Sequence, residues 1–276
     1  MQTSAAIATQ GMLPTWLIVD HYALDERWEN ALRPAALHIM AIDDIADRPH
    51  TADLLLDQNF YPDMGQRYAE LLNLSCIQLL GPKYSLLREE FVELREHLRS
   101  REGSVRRGMV FFGGSDTTNE TGKALEAIAL LNRPDIEFDV VIGASNPHLN
   151  TLSDQCTKLA NVNLHRQVSN MAQLMQRADL ALGAGGTTTW ERCALGLPAL
   201  VLSVADNQIA IAEGVDQLKA QRYLGAASAV SARVLADAIS QAIEDPRMLE
   251  EMSNNAMALV DTHGTQRVLT ALKEFT

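Results

Sequence analysis

The chain has few cysteines, an excess of acidic over basic side chains, and no apolar run long enough to cross a membrane. Cys76, Cys156 and Cys193 are the only cysteines among 276 residues, and their spacing fits neither a disulfide framework nor a metal-binding pair. Apolar runs fall short of the ~20 residues that span a bilayer, and the amino terminus lacks the basic region of a signal peptide. We therefore expect a cytoplasmic protein with no membrane span, no metal site and no cofactor.

The charge balance narrows the class of partner. There are 35 acidic and 23 basic side chains, which give a formal net charge of -12. Binding to nucleic acid is driven by Lys and Arg that neutralise phosphates, so no nucleic-acid partner is expected. A single nucleotide is not excluded, because backbone dipoles can hold one at a loop or helix start.

Short apolar runs alternate with helical patterns almost throughout, which is typical of parallel sheets built from βαβ units. The pattern predicts an α/β fold with two Rossmann-like domains that face a cleft. A boundary near Gly81-Pro82 separates residues 1–82 from residues 83–276, and the second domain carries the ligand-binding loops. The first predicted helix, Thr3 to Gln10, has no strand before it, so the N-terminal domain is expected to be incomplete. The predicted strands are Trp16–Val19, Leu37–Ile42, Asp53–Leu56, Ile77–Leu80, Met109–Phe112, Phe138–Ile142, Val162–Leu164, Leu180–Leu182 and Ala199–Leu202. The predicted helices include Leu86–Arg101 and Asn207–Gln221, and Gly264 is expected to break a helix near the carboxyl end.

Two glycine-rich loops follow strands of the second domain and precede helices. The first contains Gly114 and Ser115, and the second contains Gly186 and Thr187. Unpaired N–H groups in such loops can hold phosphate oxygens, and glycine lets a ligand approach the backbone closely. Since both loops are expected at the carboxyl ends of strands in one sheet, they favour nucleotide binding.

Each loop also has a purely structural interpretation. Thr117 with Glu120, and Thr188 with Glu191, have the spacing of a capping box. In the functional interpretation, Glu191 faces the cleft and accepts hydrogen bonds from a ribose diol. The local pattern leaves both interpretations open.

Further candidates lie in other loops that follow strands. The amides of Asn207 and Gln208 can recognise sugar hydroxyls, although helix capping is as common a role. The segment from Gln167 to Met171, which includes Val168, precedes a helix, and its backbone groups can pair with a base edge. His21 and Tyr22 end the first strand. One interpretation is that they act in acid–base catalysis; the other is that the histidine is structural, which is the more common role of a lone histidine.

Five motifs are distinctive in combination: VDHYALDERWE (Val19–Glu29), IDDIADRPHTADLLLDQN (Ile42–Asn59), LLGPKYSLLREEF (Leu79–Phe91), FFGGSD (Phe111–Asp116) and GASNPHL (Gly143–Leu149). Together they resemble, over nearly the whole chain, the UDP-sugar hydrolase family of the pseudaminic acid pathway. The stretch Ala178–Glu191 and the Asp206-Asn207-Gln208 triplet are similar more widely to glycosyltransferases of GT-B fold.

The resemblance implies an activity and a set of residue roles. Water attacks the anomeric carbon of UDP-2,4-diacetamido-2,4,6-trideoxy-β-L-altropyranose and UDP leaves, with backbone dipoles rather than a metal stabilising the diphosphate. The substrate is then a UDP-sugar. By resemblance, the diphosphate contacts Gly114, Ser115, Gly186 and Thr187, the ribose contacts Glu191, the uracil contacts Val168 and Met171, the sugar contacts Asn207 and Gln208, and Tyr22 lines the reaction centre.

One departure from the family pattern affects the expected activity. The family begins with a strand and a loop bearing a Gly-His pair, whose His is regarded as the base, whereas here only a reversed His263-Gly264 occurs. His21 belongs to a different motif and is a weak substitute. We therefore expect little hydrolase activity from the chain as written, and self-association through an exposed edge at Trp16–Val19. A UDP-sugar glycosyltransferase of the same fold and a noncatalytic UDP-sugar binder remain alternatives.

Overall fold

The computed structural model describes residues 2–9 and 11–275, and its contacts divide the chain into two compact units. The first unit contains Met1–Leu86 and His263–Thr276, and the second contains Leu87–Thr262. The division into domains of residues 1–82 and 83–276 stays a prediction, but the contacts group the last helix with the first unit. No helix in the described ranges is long and apolar enough to cross a bilayer.

The chain alternates between strands and helices as the apolar pattern predicts. In chain order the elements are α1 (Gln2–Ala8), β1 (Trp16–Asp20), α2 (Glu26–Leu32), β2 (His38–Ile42), β3 (Leu54–Asp57), β4 (Ile77–Leu80), α3 (Glu89–Arg95), β5 (Arg107–Phe111), α4 (Glu120–Leu131), β6 (Glu137–Ile142), α5 (Leu149–Cys156), β7 (Val162–Arg166), α6 (Met171–Arg177), β8 (Leu180–Ala184), α7 (Thr188–Ala194), β9 (Ala199–Ser203), α8 (Ile209–Gln217), β10 (Arg222–Ala226), α9 (Ala232–Glu244), α10 (Pro246–Leu259) and α11 (Gly264–Lys273).

The first unit is built on a four-stranded parallel sheet in the order β1-β2-β3-β4. All of β3 is buried, as expected for an inner strand of a parallel sheet covered on both faces. Leu54 and Leu56 pack with Val268 and Ala271 of α11, which therefore covers one face. Gly264 begins α11 rather than breaking a helix. A Cβ there would lie 2.3 Å from the carbonyl oxygen of Ser85, so close packing accounts for the glycine.

Strand β1 lies at the edge of this sheet. It pairs with β2 from Trp16 to Asp20 and has no second neighbour among the described residues. The Ile18 side chain is 53% exposed. Helix α1 overlaps the predicted helix Thr3–Gln10, although Gln10 itself lies outside the described residues. Self-association through this edge stays a prediction.

The second unit is built on a six-stranded parallel sheet in the order β10-β9-β8-β5-β6-β7. One face packs against α4 and α9 through residues such as Leu125 and Ile239. The opposite face packs against α3 and α6 through residues such as Phe91 and Met175. Each unit is thus α/β with a parallel sheet, which confirms the predicted fold class.

The sequence pattern missed β10 and misjudged two helices. The RYLGA segment of β10 contains no continuous apolar run, is only half-buried along its length and lies at the sheet edge. Helix α3 is shorter than the predicted Leu86–Arg101 and ends at Arg95. Arg99 and Arg101 lie beyond this end, and their guanidinium groups donate hydrogen bonds to carbonyls at the end of α6. Helix α8 begins at Ile209, after a 3₁₀ turn that contains the predicted start at Asn207.

Candidate nucleotide-binding site

The carboxyl edge of the second sheet has a topological switch point between β5 and β8. After β5 the chain adds β6 and β7 on one side and then crosses to add β8 on the other. Strands β5 and β8 pair directly, with Phe111 opposite Gly183. Ligands of open α/β sheets bind outside the carboxyl ends of the strands at such a point. The two predicted glycine-rich loops follow these two neighbouring strands.

The loop after β5 leaves Gly114 and Ser115 exposed. A Cβ on Gly114 would meet no atom within 4 Å, so the protein's own packing does not require glycine there. Among the described residues, the N–H groups of Gly114 and Ser115 have no hydrogen-bond acceptor. These two donors are therefore available to a ligand.

Helix α4 is capped differently from the predicted Thr117–Glu120 box. Asp116 is buried, and its carboxylate accepts hydrogen bonds from the N–H groups of Glu120 at 2.8 Å and Thr121 at 3.0 Å. Asn119, in the left-handed region with φ of 62°, is the cap residue. Because Asp116 already satisfies two of the first helical N–H groups, the donors of interest for an anion are those of the preceding loop.

The loop after β8 offers a second set of backbone donors. The N–H of Gly185 bonds to the carbonyl of Leu202 at 3.0 Å, which ties the loop to β9. In the described part of the chain the N–H groups of Gly186 and Thr187 have no acceptor. A Cβ on Gly186 would lie 3.4 Å from Nε2 of Gln208, so the predicted sugar-binding amide reaches this loop. Asn207 is exposed on the adjoining 3₁₀ turn.

Glu191 pairs with a distant arginine rather than closing a capping box with Thr188. Its Oε1 accepts a hydrogen bond from Nη2 of Arg88 at 3.0 Å, and its side chain is 21% exposed. Burial raises the pKa of the Glu191 carboxyl, and the guanidinium of Arg88 opposes that rise. The pair holds an ionisable carboxylate on α7, directly after the second glycine loop.

The segment predicted to border uracil lies after β7 and leads into α6. Gln167 adopts a positive φ of 46°, which turns the chain out of the strand. Val168 is partly buried against the cluster that contains Met171, which begins α6. The N–H of Ala172 donates to Oε2 of Glu90 at 3.2 Å, so a residue of α3 anchors the start of α6.

The predicted catalytic candidates, Tyr22 and His21, lie in the first unit at the end of β1. The Tyr22 hydroxyl donates to Oδ2 of Asp44 at 3.4 Å, and the side chain is 58% exposed. Burial, and then the charge of Asp44, raise the pKa of Tyr22. A raised pKa favours the protonated phenol, which can donate a hydrogen bond. Nδ1 of His21 accepts a hydrogen bond from the N–H of Ala23 at 3.0 Å, a local turn contact.

A buried polar network near this edge was not predicted. The Tyr68 hydroxyl lies 3.0 Å from Oδ2 of Asp43 and 3.1 Å from Oδ2 of Asp57. Arg48 pairs with Asp43 at 2.8 Å, and burial raises the pKa of Asp57 to about 6. The sequence shows only acidic residues that end strands, so the shared tyrosine could not be inferred from it. Across the described ranges, no group of three His, Cys, Asp or Glu side chains is arranged to hold a metal ion.

The chain is similar in sequence to curated proteins over about two thirds of its length. Spore coat polysaccharide biosynthesis protein SpsG of Bacillus subtilis is 29% identical over 197 residues, which cover 70% of this chain and 57% of that protein. Across the first curated relatives the chain spans between 40% and 57% of their length.

Solved structures share the fold at low sequence identity. MurG of Acinetobacter baumannii superposes with a TM-score of 0.66 at 13% identity, covering 98% of this chain and 76% of that one. Os79 of O. sativa in complex with UDP gives a TM-score of 0.63 at 12% identity, covering 100% and 81%. These likenesses show a GT-B-like fold. Residues 109–268 match the glycosyltransferase family 28 C-terminal domain, and the chain belongs to that family.

Proposed function

We propose that the second unit binds the UDP moiety of a UDP-sugar at the β5/β8 switch point. The observation that carries this proposal is the pair of loops on neighbouring strands whose N–H groups have no acceptor in the described residues. The diphosphate contacts Gly114 and Ser115 in one loop and Gly186 and Thr187 in the other. Glu191 receives the ribose diol, and Val168 and Met171 border the uracil. Asn207 and Gln208 contact the sugar.

We further propose that the reaction is hydrolysis of a UDP-linked diacetamido-trideoxy sugar in pseudaminic acid biosynthesis. The motifs of the first unit and the FFGGSD and GASNPHL loops support this substrate by resemblance. Water adds to the anomeric carbon as the bond to the diphosphate oxygen breaks, and UDP departs with that oxygen. Tyr22, protonated because of its raised pKa, serves as a hydrogen-bond donor to the substrate.

Glycosyl transfer is the second candidate function. The family 28 match supports it, because that family is named for glycosyltransferases. A transferase breaks the same anomeric bond but delivers the sugar to an acceptor hydroxyl instead of water. The two reactions therefore differ in their requirement for an acceptor and not in their use of UDP.

The test is to incubate the chain with the UDP-linked diacetamido-trideoxy sugar and to quantify both UDP and free sugar. Hydrolysis predicts equal amounts of the two products without any acceptor, and their loss in Glu191→Ala. UDP release that needs an added acceptor, with the sugar attached to it, supports transfer instead. UDP binding without either product leaves only a binding protein. A His21→Ala variant that abolishes turnover identifies His21 as the base, a role worth ~10²–10⁴-fold.

The affinity for UDP is expected to decrease as the pH is lowered, because the Glu191 carboxylate then becomes protonated. Burial raises the pKa of Glu191 in the folded protein, so the charged form is lost at a higher pH than for an exposed glutamate, whose reference pKa is about 4.3. Calorimetric titrations of UDP across the acidic range measure this loss. Phosphate groups also ionise near pH ~6, so Glu191→Gln, which cannot titrate, is the reference. Identical profiles for the two proteins contradict a ribose-binding role.

A further inference from the structure

Arg88 connects two parts of the proposed nucleotide site through carboxylates on different helices. Its Nη2 lies 3.0 Å from Oε1 of Glu191, and its Nη1 lies 2.5 Å from Oε1 of Glu90. The second oxygen of Glu90 accepts the N–H of Ala172 at 3.2 Å. A continuous chain of polar contacts thus runs from the proposed ribose carboxylate to the start of α6.

The half-exposed Arg88 side chain also packs against an aromatic ring. The guanidinium lies over the ring of Phe91, with 5.0 Å between its central carbon and the ring centroid. Phe91 is fully buried and belongs to the same apolar cluster as Met171 and Ala172. Because a guanidinium presents its N–H groups in a rigid planar arrangement, this contact sets the direction in which Arg88 meets both carboxylates.

The pairing leaves a defined part of Glu191 for a ligand. Arg88 occupies Oε1, and within the described residues Oε2 accepts no hydrogen bond. A ribose diol presents hydroxyl donors to such an oxygen. A ligand without the 2′-hydroxyl leaves the largely buried Glu191 carboxylate with one hydrogen bond fewer. Sites that bind a ligand hydroxyl through a buried polar group discriminate strongly against ligands that lack this hydroxyl.

We propose that Arg88 and Glu90 are positioning residues with different effects. Arg88 holds Glu191 so that the site selects ribonucleotides over 2′-deoxyribonucleotides, and Glu90 holds the start of α6 next to the proposed uracil contacts. This inference rests on the proposed UDP site. It adds two residues that precede β5 by many positions and that contact no ligand themselves in the proposal.

The experiment compares UDP with 2′-deoxy-UDP by calorimetry on the whole chain. The unmodified protein is expected to prefer UDP roughly tenfold or more, the factor that a hydrogen bond to a charged group provides. Glu191→Ala and Arg88→Gln should both bring this ratio close to one. Arg88→Lys, which keeps the charge but not the planar geometry, should retain an intermediate ratio. Arg133→Gln removes an exposed pair with Asp135 and should leave the ratio unchanged.

A second readout separates positioning from general stabilisation. Arg88 and Arg192 lower the pKa of Glu191, whereas Glu90 raises it. In Arg88→Gln the pKa of Glu191 should therefore rise, and UDP affinity should begin to decrease at a higher pH than in the unmodified protein. The melting temperature of Arg88→Gln should stay close to that of Arg133→Gln. Glu90→Gln should weaken UDP and 2′-deoxy-UDP alike, because its main effect is on the α6 start.

The two nucleotides and the variants test the positioning role of Arg88 separately from the binding of the UDP ribose by Glu191. If Glu191→Ala loses the preference for UDP but Arg88→Gln keeps both the ratio and the pH profile, Arg88 is only a surface ion pair and the inference is wrong. If Glu191→Ala itself leaves UDP binding unchanged, the proposed ribose contact is wrong. Equal affinities of the unmodified protein for both nucleotides would overturn the selectivity.

Discussion

Replacement of Gly114 by valine is expected to lower the affinity for UDP by about a hundredfold or more while the protein melts as before. The physical reason is that a Cβ at this position meets no protein atom within 4 Å, so the larger side chain costs the fold little. It occupies the space through which a diphosphate must approach the N–H groups of Gly114 and Ser115. Loss of two hydrogen bonds to a charged group accounts for a factor of that order.

Calorimetry with UDP and a thermal melt measure the two effects of Gly114→Val separately. Gly143→Ala is the matched control, because its Cβ would lie 2.1 Å from the carbonyl oxygen of Gly114, a backbone contact that cannot yield easily. That variant should lose both stability and binding. If Gly114→Val melts as low as Gly143→Ala, the glycine is required by the fold and its role in binding is not supported.

Trp190→Ala is expected to have the largest effect on stability. Trp190 is among the largest fully buried side chains, with 1% of its surface exposed, and it lies in α7 next to Glu191. Replacing such a residue by alanine typically lowers the free energy of unfolding by about 3–5 kcal/mol. That is a large part of the ~5–15 kcal/mol that stabilises a typical domain. UDP should partly restore the melting temperature, because a ligand of the native state stabilises it.

Urea denaturation followed by circular dichroism measures the change in Trp190→Ala, since fluorescence would lose its reporter in the second unit. Leu130→Ala on α4 is the control, because that side chain is 44% exposed and its removal should change stability by well under 1 kcal/mol. A loss of less than about 1 kcal/mol in Trp190→Ala would mean that α7 is not held by this side chain.

Local patterns in the sequence predicted the strands and loops well, because their signals lie in consecutive residues. Buried parallel strands such as β3 are continuous apolar runs, and glycine turns mark the ends of β5 and β8. The same logic failed for β10, whose edge position removes the need for a fully apolar segment. It also offered Thr117 as a cap of α4, whereas Asn119 is the cap residue and the carboxylate of Asp116 accepts hydrogen bonds from the first helical N–H groups.

Contacts between distant residues could not be predicted from the sequence. Arg88 and Glu191 are separated by 103 positions, yet they form the ion pair on which the electrostatics of Glu191 depend. The packing of α11 on the first sheet likewise joins the two ends of the chain. The spacing of Thr188 and Glu191 fits a capping box, but the ion pair with Arg88 engages the Glu191 carboxylate instead.

Hydrogen–deuterium exchange of the whole chain, with and without saturating UDP, tests the central claim most directly. The claim is that UDP binds at the switch point between β5 and β8, through the backbone of two loops. It predicts slower exchange in peptides that cover residues 113–116 and 185–191, and smaller changes in peptides from the amino edge of the same sheet. Binding of UDP without protection of either loop, or no binding at all, would contradict the account.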